Sequence, residues 1–421
     1  MKVNPTVLAF IGCFRVIYAC GAELLARALE NQNADDCVGR AVSTTSTFAI
    51  ANVRVFSETG FQTPQTVIVS GSKIVLVGGA APPGIETVDG TGKFLIPGLI
   101  DSHVHPQSCG ALANLTAYGV TTAINMACLN YTVCSSLKGQ VGVADYITAG
   151  LFAVGPNSLH AKFFNIPPDE VLQPNADLIQ NVNYVFANGS DFYKIVAEDN
   201  GPTQAQQNTI VQLVHSHGKS TYTHASFMAG YEQAITSKCD GIQHVPADGV
   251  LTSAQISQIT CQGQFVTPTM ELYRVVFANP VLDPFLGITA SDTYANVMAN
   301  VAALHKAGVP MAVGTDATGN VAGVVNFPFG RTLHCELQNL VGSGFGNAEV
   351  LYAATAGAAR LYKLPDRGTI ALGMRADLVL LNSNPLTNIA NTFDIEAVWA
   401  GGVRVNTILG TEGQSCDATQ F

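Results

Sequence analysis

Residues 192–226 read FYKIVAEDNGPTQAQQNTIVQLVHSHGKSTYTHAS. FYKIVA is a short apolar run of strand length that ends in the polar pair Glu198-Asp199. TQAQQNTIVQLVHSHGK follows as a helical stretch closed by Gly218, and STYTHAS opens a second strand-like run. Strand, helix, strand in this order argues for parallel strands joined by a crossover. The same rhythm continues outward. AGYEQAITSKC is helical after STYTHAS, and NVMANVAALHKAG is helical before the strand-like PMAVGTDA. Upstream, KFLIPGLIDS is apolar and extended. The repetition occupies roughly 270 residues, close to the ~250 typical of a (β/α)₈ barrel.

The flanks differ in style. From Phe48 to Ile96, FAIANVRVF, TVIVSG and KIVLVGG are short β segments punctuated by Gly and Pro. GTIALGMRADLVLLN and EAVWAGGVRVN repeat that style near the C-terminus. The expected fold is α/β: a (β/α)₈ TIM barrel over 98–365, with a small β-sandwich built from both chain ends, 47–97 plus 366–412. Residues 1–46 read as a leader and a polar linker. Lys2 precedes an apolar stretch, Val7 to Gly21, interrupted by Arg15, and the small residues Ala19, Gly21 and Ala22 at its end form a candidate cleavage site. That stretch is too short and interrupted for a stable membrane span.

Hydrophobic residues make up 48% of the 421 and charged residues 12%, which suits a large buried core and excludes a disordered chain. The net charge of −10, without a Lys/Arg cluster, argues against a nucleic-acid partner. None of the ten cysteines forms a CxxC pair, so zinc-finger and thioredoxin readings fail. Cys128 and Cys134 are spaced to close a small loop, and Cys37 and Cys416, in the two tails, form a second candidate pair. The alternative is that most of the ten are buried free thiols. Acceptor triplets at Asn114, Asn130 and Asn188, with the leader-like start, favour secretion over a cytoplasmic location.

In a (β/α)₈ barrel, chemistry gathers at the C-terminal ends of the strands. His103 and His105 follow KFLIPGLIDS at i, i+2 spacing, which puts both imidazoles on one side of an extended strand. Lys194 lies inside FYKIVA. His224 ends STYTHA, His244 ends DGIQHV and Asp316 ends PMAVGTD. Each has an ordinary structural explanation: a hydrogen-bonded His, a Lys that snorkels, an Asp that caps a helix. Together, at five strand ends in chain order, they form a nitrogen and oxygen ligand set suited to Zn²⁺ or a similar divalent ion.

LIPGLIDSHVHP resembles the signature of the amidohydrolase superfamily. GSDFYKIVAEDNG, THAS, DGIQHVP and GTDA resemble its later metal-site segments. AATAGAARLYKLPDRGTIALGMRADLVLLNSNP resembles its C-terminal return into a β-sandwich. The likeness runs from about Phe48 to Val405 and is strongest to the imidazolonepropionase-like and prolidase-like branch, which includes fungal ochratoxinase-type amidases. It implies a binuclear metal-dependent hydrolase. His103, His105 and Asp316 would hold the more buried ion, His224 and His244 the more exposed one, and Lys194, as a CO₂-derived carbamate, would bridge both. A metal-bridging hydroxide would attack the carbonyl of a small-molecule amide, and Asp316 would shuttle the proton; Asp316, Lys194 and His244 are the catalytic candidates. The expected substrate is an acyl or aryl-acyl amino acid, or a dipeptide-like amide. A cyclic amide, imidazolone or lactone ring is the alternative, and a non-catalytic ligand-binding relative is the alternative of another class. A homo-oligomer is compatible with this reading.

Candidate substrate contacts are His160, Tyr193, Tyr273, Arg274, Phe329, Arg331 and His334, with Phe163 and Phe164 adding aromatic surface. Arg274 or Arg331 would clamp a substrate carboxylate. Phe329 departs from a Pro-His-Gly context in similar proteins. His215 and His217 read as helix-end residues, and His305 as a solvated one.

Overall fold

The structure is a computed structural model that describes residues 47–283, 287–321, 325–405 and 416. The leader and linker, with Cys37, lie outside the described residues. Among the described residues, no helix is long and apolar enough to cross a membrane.

The chain opens with β1 (Phe48–Ser57), β2 (Gly60–Phe61), β3 (Gln65–Ser70), β4 (Lys73–Val77), β5 (Glu86–Asp89) and β6 (Phe94–Pro97). Next come β7 (Leu99–Val104), β8 (Val120–Asn125) and β9 (Asp145–Thr148), then β10 (Tyr193–Val196), β11 (Thr221–His224), β12 (Gly241–Gln243) and β13 (Phe265–Thr267). A short hairpin, β14 (Gly319–Val321) and β15 (Val325–Phe327), precedes β16 (Leu378–Leu381), β17 (Ile395–Ala400) and β18 (Val403–Val405).

The two chain ends meet in one sheet. Its order is β18-β17-β16-β6-β1-β3-β4, with β2 and β5 also paired to β1. The junction is β6 antiparallel to β16, where Leu95 faces Leu380 in register. The register along β1 shifts between Ile50 and Val53, and Asn52 there has φ +55°. That bulge divides the strand: its first half pairs with β3 and β5, its second half with β6. Phe48, Ile50, Val53, Val67 and Ile74 bury one apolar layer against Leu378, Leu380 and Trp399, with Phe48 stacked on Trp399 at 5.4 Å.

The middle of the chain is TIM-barrel-like α/β. Two parallel sheets, β7-β8-β9 and β10-β11-β12-β13, alternate with helices. Parallel bridges Ala153↔Ile195, Val266↔Met311 and Val104↔Ala317 link the sheets to each other and to the extended segment 311–317. That segment lies between β13 and β7: Ala312 N donates to Val266 O (3.0 Å), and Ser102 N donates to Val313 O (2.9 Å). The strand Tyr193–Val196 is buried along its whole length, as a parallel strand covered on both faces should be. The helix Gln204–Ser216 begins at a capping box, Thr203 with Gln206, and faces the sheet with Ile210, Val211 and Val214. Tyr362, from the segment returning to the sandwich, packs on Tyr222 and Phe265 at ring distances of 4.8 and 5.2 Å. Its hydroxyl donates to Ser102 O (2.9 Å).

Cys128 and Cys134 form the expected disulfide. Cys416 pairs with Cys335, not with Cys37. Cys335 sits on the helix Arg331–Gly342, and Gln338 one turn on donates to Cys416 Sγ at 3.2 Å, so Cys416 lies against this helix. Nearness in space decided a pairing that position in the two tails suggested wrongly. Among the described cysteines only Cys239 and Cys261 are free, so the reading of mostly free thiols is corrected as well.

Candidate metal centre and active site

The six candidate ligands all line one cavity at the strand ends. Asp316 Oδ1 lies 3.2 Å from His103 Nε2 and 2.7 Å from His105 Nε2. The His103 ring is 4.7 Å from His244, and His244 is 4.4 Å from His224. Lys194 projects from β10 on the same face as Val196 and Glu198, which also line the cavity, while Tyr193 takes the opposite face by strand alternation. Two of the candidate ligands have left-handed backbones, His244 at φ +72° and Asp316 at φ +64°. Such a conformation costs a non-glycine residue about 1–2 kcal/mol. It is held here by hydrogen bonds from His244 N to Thr267 O (2.8 Å) and from Asp316 N to His103 O (2.6 Å).

Neighbouring groups orient the rings. His103 Nδ1 meets Gln243 Oε1 at 3.0 Å, and His244 Nδ1 meets Thr269 Oγ1 at 2.7 Å. An Nδ1–H given to Gln243 fixes the tautomer of His103 and leaves its Nε2 lone pair facing Asp316. Burial drives the His103 pKa down to about 3 and holds His224 and His244 well below the usual imidazole range. Burial alone would raise Asp316, but His103 and His105 hold its carboxyl well below the ordinary carboxylate range. Burial brings the Lys194 amine down to about 7 against the opposing pull of Asp316. Neutral imidazoles, an ionised carboxylate and a near-neutral amine are the protonation states metal ligation needs.

Two observations fit a metal. The ligand atoms of His103, His105 and Asp316 all lie within 4.8 Å of one another. His244 Nε2 is buried at the cavity with no hydrogen-bond partner among the described residues. A buried nitrogen left this way costs about 1–3 kcal/mol, which a cation bound to its lone pair would offset.

The cavity holds about 180 Å³ and its wall is largely apolar. Of the candidate substrate contacts, His160 and Tyr273 line it, as do Phe163 and Phe164. The Tyr273 hydroxyl donates to Val245 O (2.6 Å). The other five stand elsewhere. The Tyr193 hydroxyl donates to Asn181 on the outer, helix-facing side. Arg274 donates Nε and Nη2 to the two carboxylate oxygens of Glu271 (2.7 and 2.6 Å), so its fork is engaged within its own helix. Phe329 and Arg331 are buried at the start of the helix Arg331–Gly342 but do not line the cavity. His334 is buried between Thr392 Oγ1 (2.8 Å) and Tyr118 O (2.9 Å) and stacks on Phe393. These residues fall within or C-terminal to strands in the sequence, but helix phase and strand parity turn them away. His215 pairs with Asp240 and His217 caps its helix, both exposed, as expected of helix-end residues. His305 is less solvated than expected: it stacks on Phe345 at 3.8 Å and pairs with Glu349.

Sequence reasoning missed several residues. Glu198 is buried at the cavity and accepts from His160 N (2.9 Å) while its Oε2 meets His160 Nδ1 at 2.8 Å. The His160 ring in turn lies 4.4 Å from His224. Glu198 was findable, being two strand periods beyond Lys194 in the same run. Asp101 is fully buried and accepts from His103 N (3.2 Å), Thr315 N (3.1 Å) and Thr315 Oγ1 (2.8 Å), tying β7 to the segment bearing Asp316. Gln243 and Thr269 orient the rings, and nothing in their spacing marks them.

With fold and site described, the class is defined: residues 94–405 match the amidohydrolase family, and the chain belongs to it. It is 24% identical over 392 residues to the imidazolonepropionase of Shouchella clausii, covering 78% of this chain and 81% of that one. Among solved structures it resembles a putative prolidase from Bifidobacterium longum, with TM-score 0.74 and 22% identity over 90% of this chain and 100% of that one. It also resembles the A. niger ochratoxinase, with TM-score 0.70 and 19% identity over 89% of this chain and 99% of that one. These are the branches that the sequence motifs resemble.

Proposed function

We propose that this amidohydrolase-family chain is a binuclear metal-dependent hydrolase that cleaves the amide of an acyl or aryl-acyl compound. The observation that carries the proposal is the buried, unpartnered Nε2 of His244 beside the compact His103–His105–Asp316 group. His103, His105 and Asp316 would hold one ion, and His224 and His244 the other. Divalent ions, zinc by the donor set, would supply a deprotonated water at neutral pH and polarise the substrate carbonyl. Lys194 would lie between the two groups. Its amine, brought to about 7 by burial, is available to add CO₂, releasing a proton and leaving a carbamate anion with two oxygen donors.

Asp316 is held as an anion in the neutral range, so it can accept a proton from the attacking water and return it to the leaving nitrogen. The apolar wall excludes water and buries the substrate's hydrocarbon. The parallel bridges support reading 98–365 as a closed (β/α)₈ barrel, and the β6–β16 pairing supports a composite sandwich from 47–97 and 366–412. The Cys128–Cys134 and Cys335–Cys416 disulfides support passage through an oxidising compartment and so secretion.

A second reading, opening of a cyclic amide or imidazolone ring, is favoured by the likeness to an imidazolonepropionase. The test is a hydrolysis screen with zinc-reconstituted protein across open-chain amides, ring amides and lactones. Cleavage of open-chain amides supports the first reading. Turnover of rings alone replaces it with the second, and no turnover of any class supports a ligand-binding relative.

A further inference from the structure

We propose that the cavity selects substrates whose bound group is uncharged and aromatic or branched-aliphatic, and that Glu198 excludes a carboxylate from it. The proposal rests on the amidase reading and narrows its substrate class away from free N-acyl amino acids.

Three features carry it. The wall beyond the ligands is built from Phe152, Phe163, Phe164, Leu272, Tyr273 and Phe327. Phe164 meets Phe152 and Phe163 edge to face at 5.5 and 5.0 Å, the packing into which another aromatic ring fits by stacking and area burial. Among the described residues the lining holds no arginine, and its one lysine is Lys194. Of the two expected clamps, neither of which lines the cavity, Arg274 gives its fork to Glu271.

Among the described residues the only acidic side chain in the lining besides Asp316 is that of Glu198, which is 6% exposed. His160 lowers its carboxyl pKa against the opposing effect of burial. A substrate carboxylate brought beside Glu198, at the end of the cavity away from the ions, would lose its hydration and meet a carboxylate already paired with His160, with no arginine in the described lining to receive it. A neutral amide carrying a phenyl or branched alkyl group loses nothing comparable and gains the wall contact.

Two matched pairs test this with the zinc-loaded enzyme. N-benzoyl-phenylalanine is compared with its methylamide, which varies the amine side. Succinyl anilide is compared with butyryl anilide, which varies the acyl side. In at least one pair the neutral member should have roughly tenfold or greater kcat/KM, and calorimetric binding of uncleaved members should follow the same order. Glu198→Gln, checked for folding by circular dichroism, should shrink the ratio several-fold in that pair, a readout that a general loss of activity does not move. Equal or better use of the acid in both pairs overturns the selectivity while leaving the amidase reading intact. No cleavage of any amide, with the neutral member still binding more tightly, overturns the amidase reading and leaves the selectivity standing. An unchanged ratio in Glu198→Gln overturns the role given to Glu198.

Discussion

Gly314→Ala tests how closely the segment bearing Asp316 is fitted to the strand bearing His103. A Cβ at Gly314 would lie 2.6 Å from Thr267 Cγ2, 2.7 Å from His103 N and 2.8 Å from His103 Cβ. Carbon atoms in ordinary contact stand about 3.5–4.0 Å apart, so relief needs a shift of roughly 1 Å. Thr267 can give by rotating about χ1, at the expense of its hydroxyl contact with Tyr362 (3.2 Å), but His103 cannot. Its strand is fixed from the same side by Ser102 N on Val313 O (2.9 Å) and Thr315 N on His103 O (3.0 Å). Overpacking of this kind costs about 1–3 kcal/mol, and contacts on backbone atoms put this site near the upper end. Replacing Gly with Ala also stiffens the unfolded chain and returns about 0.4–1 kcal/mol. The net loss should be about 1.5–2.5 kcal/mol, read as a lower urea midpoint with an unchanged slope. The displaced His103 should also lower turnover by roughly 10²-fold, the scale of a 1 Å misplacement. A stability change under about 0.5 kcal/mol with wild-type turnover would refute the close fit and the reasoning from it.

Asp316→Asn keeps an oxygen ligand but removes the proton acceptor; its rate should fall by about 10²–10⁴-fold with metals still in place, and a loss under about threefold would remove the shuttle. His334 offers a pH test away from the site: burial, opposed by its bond to the Tyr118 carbonyl, lowers its pKa to about 4. The unfolded chain therefore binds the extra proton first, so stability should fall as pH drops from about 6.5 to 4, by about 3 kcal/mol at most. Unfolding curves of His334→Asn should lack that portion of the slope, and equal slopes would count against the buried neutral ring. Expression in a secreting eukaryotic host should give a shortened N-terminus and a glycan on at least one of Asn114, Asn130 and Asn188, all exposed; an intact, unmodified intracellular product in mass spectrometry would reverse the secretion proposal.

The convergence of the six candidate ligands on one cavity was legible because metal chemistry accepts few side chains and strand ends are marked by apolar runs. Lys194 and Glu198 show the same signal read once and missed once: both follow strand parity in FYKIVAE, but only the lysine looked anomalous there. The substrate contacts were poorly legible because proximity in sequence to a strand end does not fix direction. Tyr193 adjoins Lys194 and points the other way, and Arg274 follows Tyr273 but pairs with Glu271 at helical i, i+3 spacing. Asp101 and Gln243 act through partners distant in the chain, Thr315 and His103, so no local pattern marks them. The Cys335–Cys416 bridge has the same character, since its partners are 81 residues apart.

The central claim, that two ions sit in this cavity with Lys194 between them, is tested most directly by elemental analysis of purified wild type and Lys194→Ala, with activity followed through chelation and zinc return. The account predicts two divalent ions per wild-type chain, lost together with activity and restored together, and at least one fewer in Lys194→Ala. Full activity in the chelated, metal-free enzyme, or two ions and full activity in Lys194→Ala, would contradict it.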